Sequence, residues 1–193
     1  LKIITEIQLM VFKTAVILCG GKGTRLGAIG KKIPKTLVKI HGNSIIWYII
    51  KILQRNKINH FILPVGYKGY QIKRYFKKKQ EFKNCKIDVI DTGANTSISK
   101  RIFKIKTKIL SESFILLNGD AIFDFNINKI YKNNLNKKID ATFIGCTTKL
   151  PFGIIAKNNN KIVNFMRDVQ FNAIINRKKK NFIGYVNSGI SIL

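Results

Sequence analysis

A chain of 193 residues, 46% of them hydrophobic, has the size of one ordinary domain and ample material for a core. Its 36 Lys and Arg against 9 Asp and Glu give a net charge of +27, which raises the question of a polyanion partner. A membrane span is excluded on length: the longest apolar run, residues 45–53, is too short to cross a bilayer and is interrupted by Lys51.

The basic residues are spread along the chain, apart from runs at 77–79 and 178–180. Lys, Asn and Ile are abundant together, as an A+T-rich coding sequence would produce. The charge therefore reads first as compositional drift, with incidental nucleic-acid affinity at low salt. Residues 1–9, interrupted by Glu6 and Gln8, do not read as a secretory signal. Met10 stands just before the first convincing strand. Residues 1–9 are therefore expected to be a non-native or disordered extension, and 10–193 a single domain. Cys19, Cys85 and Cys146 are far apart and lack metal-ligand spacing, so free buried thiols in a reducing cytoplasm are expected. His41 and His60 read as ordinary surface or turn histidines.

In chain order, residues 11–19 form a strand that leads into a glycine-rich loop. A short strand at 37–40 and a turn at His41-Gly42-Asn43 follow. Ser44 is placed to N-cap an apolar-rich helix over 45–56. Residues 61–65 are a buried strand and 68–79 a helix. Residues 86–90 are a third strand, and a basic helix covers 99–108. A fourth buried strand, 114–117, ends at Asn118-Gly119-Asp120, and 127–136 is helical. After that the pattern changes to strands at 141–147, 152–157, 161–166 and 184–193, with Asn158-Asn159-Asn160 as a turn. The expected class is α/β: a Rossmann-like, mainly parallel sheet with helices on both faces, plus mixed or antiparallel strands in the C-terminal part.

The most informative stretch is Leu18-Cys19-Gly20-Gly21-Lys22-Gly23-Thr24-Arg25-Leu26, followed by Pro34-Lys35. A glycine-rich turn off a buried strand lets backbone N–H groups approach a phosphate. Arg25 adds a planar fork and Lys35 a point charge. A P-loop pattern is absent. A dinucleotide fingerprint also fails, because Gly21 and Gly23 are followed by Gly27, one residue too far on, and no acidic residue stands about twenty residues later. The triplet Asp91-Thr92-Gly93 would suit an aspartic protease, but the surrounding βα alternation is wrong for an all-β enzyme.

The Leu-x-Gly-Gly-x-Gly-Thr-Arg-Leu stretch with Pro34-Lys35 resembles the signature of the sugar-1-phosphate nucleotidylyltransferases. Within that family the likeness is greatest to the glucose-1-phosphate cytidylyltransferases. It extends to Gly66-Tyr67-Lys68-Gly69-Tyr70, to Asp91-Thr92-Gly93 with Thr96 and Arg101, to Gly119-Asp120, to Phe152-Gly153 and to Asn187-Ser188-Gly189. The resemblance implies an enzyme that couples an NTP, with CTP favoured, to a sugar 1-phosphate and releases pyrophosphate. It implies that Leu18, Cys19, Gly20, Gly21 and Lys22 line the base and ribose. Gly23, Thr24 and Arg25 would cradle the triphosphate, and Lys35 would bridge to the phosphates near the reacting centre. Asp120 would hold Mg²⁺, and Thr96, Arg101 and Gly119 would line the nucleotide or sugar-phosphate pocket. Arg25, Lys35 and Asp120 are the catalytic candidates.

The family's place is the cytoplasm, in building surface polysaccharide precursors. The chain departs from the family at Arg167-Asp168-Val169, where a Glu-Lys-Pro is usual. The family also continues beyond the equivalent of Leu193 and supplies a second metal-binding Asp there, so a C-terminally shortened chain is expected. An unpaired last strand would leave an edge open to a second copy, giving a homo-oligomer. The competing readings are a catalytically impaired nucleotide- or RNA-binding relative and a cytidylyltransferase for a non-sugar phosphate.

Overall fold

The computed structural model describes residues 14–132, 139–149, 152–167, 170–171, 173–177 and 180–193. They divide into two compact units, residues 143–188 forming one and the remainder, including 189–193, the other.

The first unit opens with β1 (Thr14–Leu18), α1 (Ala28–Lys32) and the two-residue strands β2 (Lys39–Ile40) and β3 (Asn43–Ser44). Then come α2 (Ile45–Arg55), β4 (His60–Val65), α3 (Gly69–Lys77), β5 (Lys86–Asp91), α4 (Ile98–Ile105), β6 (Ile115–Asn118) and α5 (Ile127–Lys132). The second unit holds most of β7 (Thr142–Cys146), then β8 (Thr148–Lys149), β9 (Ile154–Asn158), β10 (Lys161–Met166), β11 (Gln170–Phe171), β12 (Ala173–Arg177) and β13 (Lys180–Gly184). The chain returns to the first unit along β14 (Val186–Ile192).

In the first unit the strand order is β5-β4-β1-β6-β14. The β1–β4, β1–β6 and β4–β5 pairs are parallel, and β14 joins β6 antiparallel. Ala15, Val16 and Ile17, like Phe61, Ile62 and Leu63, are all fully buried. Successive strand residues face opposite sides, so both faces of the sheet are covered. On one face Ile105 of α4 packs with Val16 and Ile62. α2 buries Ile46, Ile49, Ile50 and Leu53 completely, the i, i+3, i+4, i+7 stripe of a core-facing helix. Its start is fixed by Ser44, whose Oγ accepts from the Trp47 N–H at 3.3 Å and donates to the Tyr75 hydroxyl at 3.0 Å.

The mainly parallel α/β architecture expected from the alternation is therefore present. Helix ends differ: α3 spans Gly69–Lys77, and α4 begins at Ile98 and tightens into a 3₁₀ turn over Lys106–Lys108. α1 has no counterpart in the sequence reading, because five residues are too few to show a period. The second unit contains antiparallel pairs β9–β10, β8–β11 and β12–β13, with β7 beside β14. Of these, β8, β11, β12 and β13 are not among the expected strands. The 1–9 extension, residues 11–13 of the first strand, the 133–136 end of the last helix and Asp168-Val169 lie outside the described residues.

Two side-chain expectations are corrected. His60 is not at the surface: it is 5% exposed, with Nδ1 3.1 Å from Thr14 Oγ1 and Nε2 3.0 Å from an Asp88 carboxylate oxygen. Its position inside β4 puts the ring between β1 and β5, where it has a partner on each flank. The cysteines are free, but only Cys19 is buried; Cys85 is half-buried and Cys146 exposed.

Replacing Ser44 by Ala removes the α2 cap and the tie to Tyr75. It is expected to lower stability by about 1 kcal/mol, read as a shift in the urea midpoint at unchanged slope.

Candidate active site

Every parallel strand of the first unit delivers its carboxyl end to the same edge, and a cavity of about 520 Å³ opens there. Leu18 to Gly23 form one wall, Lys35 and Thr36 a second, Ala94 to Ile98 with Arg101 a third, and Asn118, Gly119 and Asp120 a fourth. Of the residues singled out by the sequence, Leu18, Cys19, Gly20, Gly21, Lys22, Gly23, Lys35, Thr96, Arg101, Gly119 and Asp120 line this space. Thr24 and Arg25 do not. They lie exposed on the 3₁₀ turn Thr24–Leu26 that follows Gly23, which itself sits at φ 63, a conformation open to glycine.

The loop after β1 is tied down by Arg101. Its Nη1 donates to the Val65 carbonyl at 3.0 Å and to the Thr92 hydroxyl. Its Nη2 donates to the Gly20 carbonyl at 3.2 Å and to the Ala94 carbonyl at 3.4 Å. The residue is 5% exposed. Burial pulls its pKa below the usual arginine value, and the charge of Asp91 offsets part of that. A guanidinium still stays protonated in such a setting. A Cβ on Gly20 would fall 2.3 Å from the Arg101 Cζ, so this glycine makes room for the guanidinium. Thr92 completes the web: its Oγ1 donates to the Val65 carbonyl at 2.7 Å, and its own carbonyl accepts from Thr96 Oγ1 at 2.6 Å and Lys104 Nζ at 2.9 Å. Asp91 ends β5, its carboxylate accepting from the Gly93 N–H at 2.9 Å.

Lys35 and Asp120, 85 positions apart, form an ion pair at the cavity wall, each side chain about 40% exposed. Asp120 stands in the tight turn after β6, closed by the Ala121 N–H donating to the Asn118 carbonyl at 3.1 Å. β14 brings Gly189 alongside: at φ 77, a Cβ there would lie 2.6 Å from Asn118 Nδ2. Cys19 faces the same region but is chemically quiet. Burial pushes its thiol up to about 12, with the Thr36 hydroxyl offsetting a little. That Thr36 Oγ1 is itself buried without a hydrogen-bond partner of normal geometry among the described residues.

Sequence reasoning did not single out Thr36, Ala94, Asn95, Ser97, Ile98 and Asn118. Thr36 and Asn118 directly adjoin residues that were singled out, and the strand-end position of Asn118 was a usable signal. Apart from Thr96, the 94–98 stretch reads only as a loop, and folding alone brings it beside Gly20.

The glycine-rich loop leaving the first strand of the parallel sheet thus faces a strand-end carboxylate and a lysine across one cavity. The family model described as nucleotidyl transferase matches residues 14–167. The chain is 34% identical over 181 residues to a probable glucose-1-phosphate cytidylyltransferase of Bacillus subtilis, covering 84% of this chain and 71% of that protein. It is 36% identical over 125 residues to a D-glycero-alpha-D-manno-heptose 1-phosphate guanylyltransferase of Campylobacter jejuni, covering 62% of this chain and 52% of that one. The fold is similar to the crystal structure of HddC from Yersinia pseudotuberculosis complexed with GMP-PN. That match has a TM-score of 0.65 at 24% identity, over 94% of this chain and 76% of the other. The chain belongs to the nucleotidyl transferase family and, within it, to the sugar-phosphate nucleotidyltransferases.

Gly20→Ala is expected to displace the Arg101 guanidinium and cost about 1–3 kcal/mol, whereas Gly21→Ala, with nothing within 4 Å of its Cβ, leaves the melting temperature close to wild type. Iodoacetamide at pH 8 should alkylate exposed Cys146 quickly and leave Cys19, held as the neutral thiol far below its pKa of about 12, unmodified in the folded protein by mass spectrometry.

Proposed function

We propose that this chain transfers a nucleotidyl group from an NTP to a sugar 1-phosphate, giving an NDP-sugar and pyrophosphate. The observation that carries the reading is the convergence of the Gly20–Gly23 backbone, Lys35 and Asp120 on one cavity. CTP is the favoured donor, supported by the cytidylyltransferase names of the Bacillus subtilis relative and of a Salmonella typhimurium relative. The guanylyltransferase relative keeps GTP as the second candidate.

A phosphate oxygen of the sugar 1-phosphate attacks the α-phosphorus of the NTP, and the bond from that phosphorus to the oxygen linking it to the β-phosphate breaks, so that the β- and γ-phosphates leave as pyrophosphate. The nucleophile is already an anion, so the protein's task is to align two mutually repelling phosphates and neutralise their charge. The backbone of residues 18–22 lines the base and ribose and Gly23 faces the triphosphate, which Thr24 and Arg25, exposed on the next turn outside the cavity lining, would have to reach from there. Lys35 reaches the phosphates near the reacting centre. Thr96 and Gly119 shape the pocket wall. Arg101 acts indirectly, since both of its terminal nitrogens already serve backbone carbonyls and Thr92. It orients the Gly20 peptide and leaves the phosphates to Lys35 and Arg25.

The donor set at the cavity suits a hard divalent ion. Among the described residues no three His, Cys, Asp or Glu side chains cluster to form a protein-only metal cage. Mg²⁺ commonly takes one or two carboxylates and completes its shell from phosphate oxygens and water. Asp120 would hold it, and the ion would neutralise charge on the phosphate oxygens. A cytoplasmic setting is supported by the three free thiols. Among the described residues no helix is long and apolar enough to cross a membrane.

The test is pyrophosphate release with Mg²⁺, a panel of sugar 1-phosphates and each of CTP, GTP, UTP, dTTP and ATP. Turnover is expected with CTP and glucose 1-phosphate. Asp120→Asn should lose about two or more orders of magnitude in rate with a near-normal melting curve; a variant that turns over like the parent removes Asp120 from the mechanism. Silence with every pair, alongside salt-sensitive RNA binding, would favour a non-catalytic nucleic-acid-binding relative instead.

A further inference from the structure

The segment Gly66-Tyr67-Lys68-Gly69-Tyr70 is part of the family resemblance, yet none of its residues lines the cavity. It meets instead the far end of the glycine-rich loop. α1 is five residues long and exposed apart from Gly30 and, like any helix, leaves its last carbonyls without partners inside the helix. Lys68 Nζ donates to the Lys31 carbonyl, and Gln71 Nε2 donates to the Lys32 carbonyl at 3.2 Å. A cation and an amide thus cap the negative end of the helix dipole. The loop and cap backbone bonds described from Gly23 to Ile33 stay within that stretch: Leu26 to Gly23, Gly27 to Thr24, Lys31 to Gly27 and Ile33 to Ile29.

The anchor itself is firm. Lys68 holds a left-handed backbone, φ 55, inside a turn closed by the Gly69 N–H on the Gly66 carbonyl and the Gln71 N–H on the Lys68 carbonyl, both at 3.0 Å. Gly69 lies so close to the end of β4 that a Cβ would come within 2.5 Å of Val65 Cγ2. A glycine would suit the backbone of position 68 better than lysine does. What lysine brings is the ammonium on the Lys31 carbonyl.

We propose that Lys68 is a positioning residue for the phosphate loop: by holding the C-terminal end of α1 it fixes residues 24–33, and with them Arg25, against the sheet. This rests on the reading of that loop as the triphosphate cradle. Lys68 needs no contact with substrate, and its effect falls on NTP affinity.

The experiment compares the unsubstituted chain with Lys68→Gly and Lys68→Arg. Hydrogen exchange without nucleotide reads the tether, and KM for NTP against kcat reads its use. Lys68→Gly relieves the left-handed backbone, so its melting temperature should stay level or rise. Exchange over residues 24–33 should nevertheless accelerate, and KM for NTP should rise about three- to tenfold with kcat within about twofold, as expected for loss of one partly exposed charge-assisted hydrogen bond. Lys68→Arg, which keeps a cationic donor, should restore both. Unchanged exchange over 24–33 in Lys68→Gly overturns the proposal, as does faster exchange with an unaltered KM. If the unsubstituted chain binds no NTP while the exchange difference persists, the nucleotide reading falls and the tether is upheld.

Discussion

The buried guanidinium of Arg101 is the constraint on which the site depends. It gathers the Gly20 carbonyl from the loop after β1, the Val65 carbonyl from the end of β4, and Thr92 and Ala94 from the loop after β5. These segments are remote in sequence and meet only because the parallel strands end on one edge. Without it the Gly20 carbonyl would lose its Arg101 donor and the Val65 carbonyl would be held by Thr92 alone, so the strand ends would lose their common tie. A planar fork with several fixed donors can serve such an arrangement; a point-charge ammonium cannot.

In the cavity wall Lys35 and Asp120 form a local ion pair, which sets them apart from the unbalanced +27 of the whole chain. The two neutralise each other there, and both are accessible enough to exchange partners. On the proposed reading, a triphosphate accompanied by a hard cation would offer each of them a new one: phosphate oxygens for the ammonium, the metal for the carboxylate. The pair is worth little as an exposed salt bridge, so separating it costs little. The surplus lysines elsewhere set the general potential around the molecule rather than the chemistry of this site.

The fold was legible wherever an apolar run was long or periodic. Residues 61–65 and the Ser44-capped helix announce β4 and α2 because burial on both faces and a 3.6-residue stripe leave clear marks. α1, β8 and β11 escape because two to five residues carry no period. At the site, the glycine-rich loop, Lys35 and Gly119-Asp120 could be found by motif and by their place after strands. The division of labour among the cations could not. Nothing in the sequence tells that Arg101 faces backbone carbonyls and that Lys68 reaches Lys31, because both depend on which segments the crossovers bring side by side. His60 was misjudged for the same reason: a lone histidine looks superficial until its neighbours across two strands are known.

That histidine has a bearing on how the sheet assembles. Thr14 pairs with His60, and His60 with Lys86, on one rung of the parallel ladder. The imidazole reaches a hydroxyl on one side and the Asp88 carboxylate on the other. Apolar neighbours alone would tolerate β1, β4 and β5 sliding past one another, since Val and Ile occur in all three. A slip of one residue strands the ring between groups that cannot answer it. The imidazole therefore works as an alignment mark: it gives three neighbouring strands a single stagger, and the strand ends that bound the cavity inherit their relative heights from it.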